Sequence, residues 1–177
     1  MGGYRMGESI EVRIEIPRGS RNKYEYDEAT GSIWLDRVLY SSVHYPADYG
    51  YIPNTRAPDG DHLDVLVLVE EPTFPGCLVR ARPIGLLRME DEKGIDDKVL
   101  AVLMDDPRFA EVNDLEQLGQ HWLREIENFF RTYKLLEGVE TQVFSWEGRE
   151  KAREVIRQSR QGPTESPPWP QRPPASA

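Results

Sequence analysis

The chain has a single cysteine, Cys77, among its 177 residues. No intramolecular disulfide can form, and scarce cysteine suits a reducing compartment, here the cytoplasm. Long apolar runs are also missing. The longest aliphatic stretch, Val65 to Val69, falls far short of the roughly 20 residues of a spanning helix. Met1 to Ile10 lacks the apolar core of a secretory signal, and Met6 stands where a myristoylation motif has Ser or Thr. With a mean hydropathy of −0.62, no membrane partner is expected. Positive charge is in short supply too: 22 Lys and Arg face 31 Asp and Glu, a net charge of −9. Such a surface repels phosphate backbones, which argues against nucleic acid as a partner, although an acidic protein can bind an anion through cations it has bound first. The phosphate-cradling pattern Gly-x-x-x-x-Gly-Lys-Ser/Thr and the zinc pattern His-Glu-x-x-His are both missing. His44, His62 and His121 have no zinc-ligand spacing. Nothing around Cys77 would activate it as a nucleophile.

What is present reads as one domain over residues 1–160 and a tail over 161–177. The tail holds six of the 14 prolines and has the composition of a disordered segment. Ile10, Val12, Ile14 and Ile16 alternate with charged residues, which predicts a strand with one buried face ending at Pro17. Lys23 to Asp27 and Ser32 to Asp36 flank Ala29-Thr30-Gly31 as a hairpin. Leu63 to Val69 is apolar on both parities and predicts a strand covered on both faces. Cys77 to Leu87 and Val99 to Met104 predict further strands. Short strands with Gly/Pro punctuation suggest a barrel or a sandwich. From Asn113 to Leu136 the apolar residues recur in steps of three and four, which predicts an amphipathic helix capped by Asn113 or Asp114 and stopped at Gly138. Val139 to Trp146 reads as a strand and Glu147 to Arg160 as a second helix.

Three groups are candidates for chemistry, although each also reads as an ordinary feature: a solvated acidic turn, a solvated charged loop, and core aromatics with surface charges. Asp59, Asp61 and Asp64 crowd one loop that leads into the buried strand. Two unit charges about 4 Å apart repel by roughly 1 kcal/mol in water and about 4 kcal/mol at an effective dielectric near 20. Hard divalent cations relieve that repulsion, since they take oxygen ligands. The second group is the run Glu90 to Lys98, with five acidic residues in nine. It reads first as a solvated loop between two strands, and a second reading has the two acidic loops meet at one mouth of a barrel. The third is basic and aromatic: Lys23 with Glu25 on one strand face, Arg37, the loop Tyr45-Pro-Ala-Asp-Tyr49-Gly-Tyr51, and Tyr133-Lys134 at the helix end. Lysine and arginine hold phosphate oxygens, with metals to balance the charge.

The string Asp59-Gly-Asp-His-Leu-Asp64-Val resembles the signature Asp-Gly-Asp-Pro-x-Asp-x of family I soluble inorganic pyrophosphatases. Six other segments fit in order: Ile14-Glu-Ile-Pro17, Asn22-Lys-Tyr-Glu25, Leu35-Asp-Arg37, Tyr45-Pro-x-Asp-Tyr-Gly-Tyr51, Met89-Glu-Asp-Glu92 with Asp96-Asp-Lys98, and Phe129-Phe-x-x-Tyr-Lys134. The match runs from about Ile14 to Lys134 and is similar to the shorter bacterial type. The resemblance implies an α+β, mainly β fold: a closed five-stranded barrel similar to an OB-fold, with two main helices packed outside. It implies Mg²⁺-dependent hydrolysis of pyrophosphate to two phosphates by direct attack of a metal-bound water or hydroxide, with several Mg²⁺ per site. Asp59, Asp64 and Asp96 match ligands of the first metal, Asp64 also bridging to the second. Asp91 matches a ligand of further metals, and Glu15 and Glu25 match outer acids. Asp61 matches the general base and Tyr49 its neighbour. Lys23, Arg37, Tyr133 and Lys134 match the phosphate holders, and Lys98 lies near the reacting phosphoryl group. A homohexamer is implied by family analogy.

The chain departs from the pattern at His62, where Pro is usual, at Leu135, where Asp is common, and over Val139 to Trp146 and the Pro-rich tail, which fit it poorly. Two other readings are an OB-like module that binds metal or polyphosphate without turnover, and an OB-type nucleic-acid binder with stacking tyrosines. The full acidic set argues against the former, and the net charge and acidic mouth against the latter.

Overall fold

The structure is a computed structural model and describes residues 9–160; the expected tail, 161–177, lies outside them. In chain order its strands are β1 (Ile10–Ile16), β2 (Asn22–Asp27), β3 (Ser32–Val38), β4 (Asp48–Ile52), β5 (Leu63–Leu68), β6 (Leu78–Asp91), β7 (Gly94–Ile95), β8 (Lys98–Leu103) and β9 (Gln142–Gly148). The helices are α1 (Gln120–Thr132) and α2 (Arg149–Ser159). Five strands form a ring in the order β1-β4-β5-β8-β6, with β6 returning to β1. β7 and β9 extend the sheet along β6, whereas β2 and β3 form a separate hairpin. Among these pairings only β5 with β8 is parallel. None of the described helices is long and apolar enough to cross a membrane.

The alternation in β1 buries Ile10, Val12, Ile14 and Ile16 as expected, with half-buried residues between them. A register irregularity between Ile14 and Ile16 moves Ile16 into a different apolar cluster from Ile10, Val12 and Ile14. The doubly covered strand is also found. Leu66 and Leu68 of β5 pack in a cluster with Ile126, Phe129 and Phe130 of α1. Val65 and Val67 point the other way, into a cluster with Ala152 and Ile156 of α2. β8 divides likewise, Leu100 and Val102 against Val99 and Ala101. Successive strand side chains face opposite ways, so one strand can serve two cores.

Four expectations are corrected. The single helix Asn113–Leu136 is three pieces: a 3₁₀ turn at Leu115–Gln117, α1, and a second 3₁₀ turn at Leu135–Glu137. Asp114 does act as a cap, but of the first turn, its carboxylate accepting from Leu115 N–H in a reciprocal box with Gln117. Leu118 is extended and Gly119 begins the true helix. The steps of three and four run through this break because the 3₁₀ turn keeps Leu115 and Leu118 on the apolar side. Gly138 is left-handed at φ 76°, as a stop should be. The second helix begins after Gly148 rather than at Glu147, which belongs to β9. The tyrosine loop is strand from Asp48 onward. Gly50 hides this in the sequence, and it is glycine because a Cβ there would lie 1.9 Å from the carbonyl oxygen of Arg13 on the neighbouring strand. The acidic run Glu90–Lys98 is largely hairpin: β6 continues to Asp91 and turns through Lys93 into β7.

Candidate active site

Register brings the ionisable groups together. In the parallel pairing of β5 with β8, Asp64 stands beside Lys98. On the other edge of β5, Tyr51 of β4 stands beside Asp64. Lys98 is the centre of the arrangement. Its side chain is 3% exposed, and its Nζ donates to Asp64 Oδ2 at 2.7 Å, Asp96 Oδ1 at 2.8 Å and Tyr49 Oη at 2.9 Å. An ammonium has three protons, and all three are used. Burial opposes the charge on Lys98, but Asp64, Tyr49 and Asp96 outweigh it and hold the lysine well above its ordinary pKa. Burial pushes the Asp96 carboxyl up against the pull of Lys98, with the like charge of Asp64 adding to the rise. Glu15 is pushed up to about 7, chiefly by burial. Tyr26 N–H donates to it at 2.9 Å and opposes the rise, while Asp64 adds to it. Burial raises the phenols of Tyr49 and Tyr133, so both keep their protons at neutral pH.

The β2–β3 hairpin forms a second wall. Lys23 pairs with Arg37 across it. Lys23 Nζ lies 3.1 Å from both Glu25 Oε1 and Asp36 Oδ2, and Arg37 is held at 2.7 Å by Asp36 and at 2.6 Å by Glu137. The two acidic loops meet at this cleft. Asp59 Oδ1 accepts from Asp61 N–H at 3.0 Å, fixing the loop. Asp61, 69% exposed, reaches to 3.9 Å from Lys93 Nζ. Asp91 Oδ1 accepts from Lys93 N–H at 2.9 Å and Asp91 Oδ2 lies 3.6 Å from Lys134 Nζ. Of the adjacent pair, Asp96 faces this space and Asp97 turns away to Arg88 at 2.6 Å.

All thirteen residues singled out in the sequence line one cleft of about 680 Å³: Glu15, Lys23, Glu25, Arg37, Tyr49, Asp59, Asp61, Asp64, Asp91, Asp96, Lys98, Tyr133 and Lys134. Nine acids and six lysines and arginines line it, so acid is in excess. Sequence reasoning passed over Asp36 and Glu137. Asp36 was legible as the neighbour of Arg37, whereas Glu137 sits in a distant 3₁₀ turn and leaves no local signal. The donor set is almost wholly oxygen, with His62 the one imidazole in the lining, which fits hard cations such as Mg²⁺. Among the described residues no three acidic, His or Cys side chains converge closely enough to enclose an ion; Lys98 fills the space between Asp64 and Asp96.

Known proteins share this architecture and sequence. A family model described as inorganic pyrophosphatase matches residues 12–162. An inorganic pyrophosphatase of Halalkalibacterium halodurans is 55% identical over 147 residues, 83% of this chain and 90% of that protein. One of Geobacillus stearothermophilus is 52% identical over 147 residues, 83% of this chain and 89% of that protein. The crystal structure of inorganic pyrophosphatase from Thermus thermophilus superposes with a TM-score of 0.84 at 46% identity, covering 89% of this chain and 92% of that one. A match over nearly the whole described chain, cleft included, means that this protein belongs to the inorganic pyrophosphatase family.

Proposed function

We propose that this chain hydrolyses inorganic pyrophosphate to two phosphates, using several Mg²⁺ ions held by Asp59, Asp64, Asp91 and Asp96, with Glu15 and Glu25 as outer acids. The observation that carries the reading is the convergence of these acids with Lys23, Arg37, Tyr133 and Lys134 on one cleft. Bound Mg²⁺ would supply charge neutralisation and a more acidic water. Asp61, exposed on its loop, receives the proton of the water that attacks phosphorus. Tyr49, kept protonated, lies within the same cleft and shares Lys98 with Asp64 and Asp96. Lys23, Arg37, Lys134 and the Tyr133 phenol hold the phosphate oxygens of substrate and leaving group. Phosphoryl transfer needs positioning and neutralised charge more than covalent chemistry, so no nucleophilic side chain is called for.

Further parts of the reading are a cytoplasmic enzyme, a catalytic domain over 1–160 with a dispensable tail over 161–177, and a homo-oligomer, a hexamer by analogy. Exposed Ile33, Trp34, Leu35 and Val38 on the hairpin and Leu136 after α1 support self-association. The test is phosphate release from pyrophosphate with and without Mg²⁺. Magnesium-dependent release, with little attack on phosphate monoesters, is expected. Binding of pyrophosphate with no release of phosphate would replace the hydrolase with a binding module.

A further inference from the structure

A cluster just outside the thirteen residues ties the hairpin to the rest of the molecule. Glu28 lies in the turn between β2 and β3. Tyr51 Oη, from β4, donates to Glu28 Oε1 at 2.9 Å, and Glu28 Oε2 lies 3.7 Å from His62 Nε2. The His62 ring stacks on Tyr51, with centroids 4.3 Å apart and planes 12° from parallel. Its Nδ1 is 3.2 Å from the Thr55 carbonyl oxygen. The hairpin tip, the ring of strands and the Asp59–Asp64 loop therefore meet at three side chains.

The hairpin has need of such a hold. β2 and β3 pair only with each other, and a lone two-stranded hairpin is marginal in water. Leu39 N–H bonds Arg21 O at its base. Its middle is held by the bond from Tyr26 N–H to Glu15 and by the Arg13 guanidinium over the Tyr26 ring. Glu28 carries the attachment out to the tip. A phenol donating to a carboxylate makes a charge-assisted bond, and the aromatic stack adds to it. The half-exposed 3.7 Å contact with His62 contributes less. The same hairpin presents Lys23 and Arg37, so its angle sets where both cations stand relative to Asp59 and Asp61.

We infer that Glu28 is a positioning residue: through Tyr51 and the stacked His62 it holds the β2–β3 hairpin at the distance from the Asp59–Asp64 loop where Lys23 and Arg37 can grip pyrophosphate. This rests on the hydrolase reading above. Losing Glu28 weakens capture of substrate. The chemical step is spared, because bound substrate itself holds the hairpin by its two cations.

The experiment compares Glu28→Ala, Glu28→Gln, Tyr51→Phe and the double variant Tyr51→Phe/Glu28→Ala with wild type in Mg²⁺. It reads steady-state turnover and the hydrogen exchange of hairpin amides. Glu28→Ala is expected to raise KM for pyrophosphate roughly threefold to tenfold while kcat stays within about twofold. Glu28→Gln still accepts from Tyr51 and restores most of the loss. The double variant is no worse than either single one, as expected of two ends of one contact. Hairpin amides exchange faster in Glu28→Ala and return toward wild type in Glu28→Gln. The proposal stands only if KM and exchange move together in this way. Unchanged KM, a change in one readout alone, a fall in kcat at constant KM, or Gln no better than Ala each overturns it. Wild-type protein that releases no phosphate refutes the hydrolase reading instead, and pyrophosphate affinity by calorimetry then takes the place of KM.

Discussion

Replacing Lys98 with methionine removes one buried charge while keeping most of the side-chain volume. In the metal-free protein Asp64 and Asp96 would then face one another without the ammonium that bonds both at 2.7 and 2.8 Å. Removing one partner of a buried pair costs about 3–5 kcal/mol, because the charge left behind is uncompensated. For a domain of this size, that lowers the melting temperature by about 10 °C. The deficit depends on pH. Burial already holds the Asp96 pKa above its ordinary value, with Lys98 opposing. A carboxyl raised in the folded state contributes stability below its unfolded pKa, and that contribution is lost as the pH rises through the folded value. Without Lys98 the rise is larger, so the variant trails wild type more at about pH 8 than at about pH 5. Divalent cations replace the missing charge, so Mg²⁺ stabilises the variant more than it does wild type. The assay is thermal or urea unfolding of both proteins, with chelator and with saturating Mg²⁺, at the two pH values. Equal stability in chelator would refute the role of Lys98 as buried counter-ion. A gap that Mg²⁺ leaves unchanged would refute the acids as metal ligands.

Asp64→Asn is expected to lower turnover at least about a hundredfold, a barrier increase of about 2.7 kcal/mol, and to gain less in melting temperature from Mg²⁺ than wild type does. Phosphate release and melting curves check both parts. Glu15, pushed up to about 7 by burial, gives the metal-free protein a stability contribution that is complete below about pH 4.5 and lost as the pH rises through 7. Urea unfolding in chelator should show that decline, and Glu15→Gln should abolish it. Gly50→Ala puts a methyl group 1.9 Å from the Arg13 carbonyl oxygen and should destabilise by about 3 kcal/mol. A melting temperature within error of wild type would show that β1 and β4 can part there.

The sequence made the strands of the ring legible where one physical pattern dominated: the alternation of Ile10 to Ile16, and the two-sided apolar run from Leu63. It misled where a local residue served a distant contact. Gly50 looks like a loop residue, but the strand beside it leaves no room for a Cβ. The apolar steps from Leu115 to Tyr133 are continuous, yet Asp114 caps a separate turn and also accepts from Arg149 N–H at the start of α2. The aspartates of the cleft were legible because they crowd two short segments, whereas Glu15, Glu25 and the cations were assigned to it only through the family resemblance. The partners that hold those acids and cations were not legible. Asp64 meets Lys98 through a parallel register, Arg37 meets Glu137, and Glu28 meets Tyr51 and His62. Each of these pairs is set by topology and not by spacing along the chain.

The ring of five strands also governs when such a cleft can exist during folding. Its lining begins at Glu15 in β1 and ends at Lys134 after α1. β1 must find β6, and β5 must find β8 in parallel across the intervening β6 and β7. Contacts so far apart in sequence incur their loop-closure entropy before they return any stability, and chains dominated by them fold slowly. No part of the chain carries the cleft on its own, so a cation that needs the assembled cleft finds no binding site in a half-formed ring. Such a ligand acts after the rate-limiting step. On the proposed Mg²⁺ reading, the ion is expected to slow unfolding of the finished protein and to leave its folding rate unchanged.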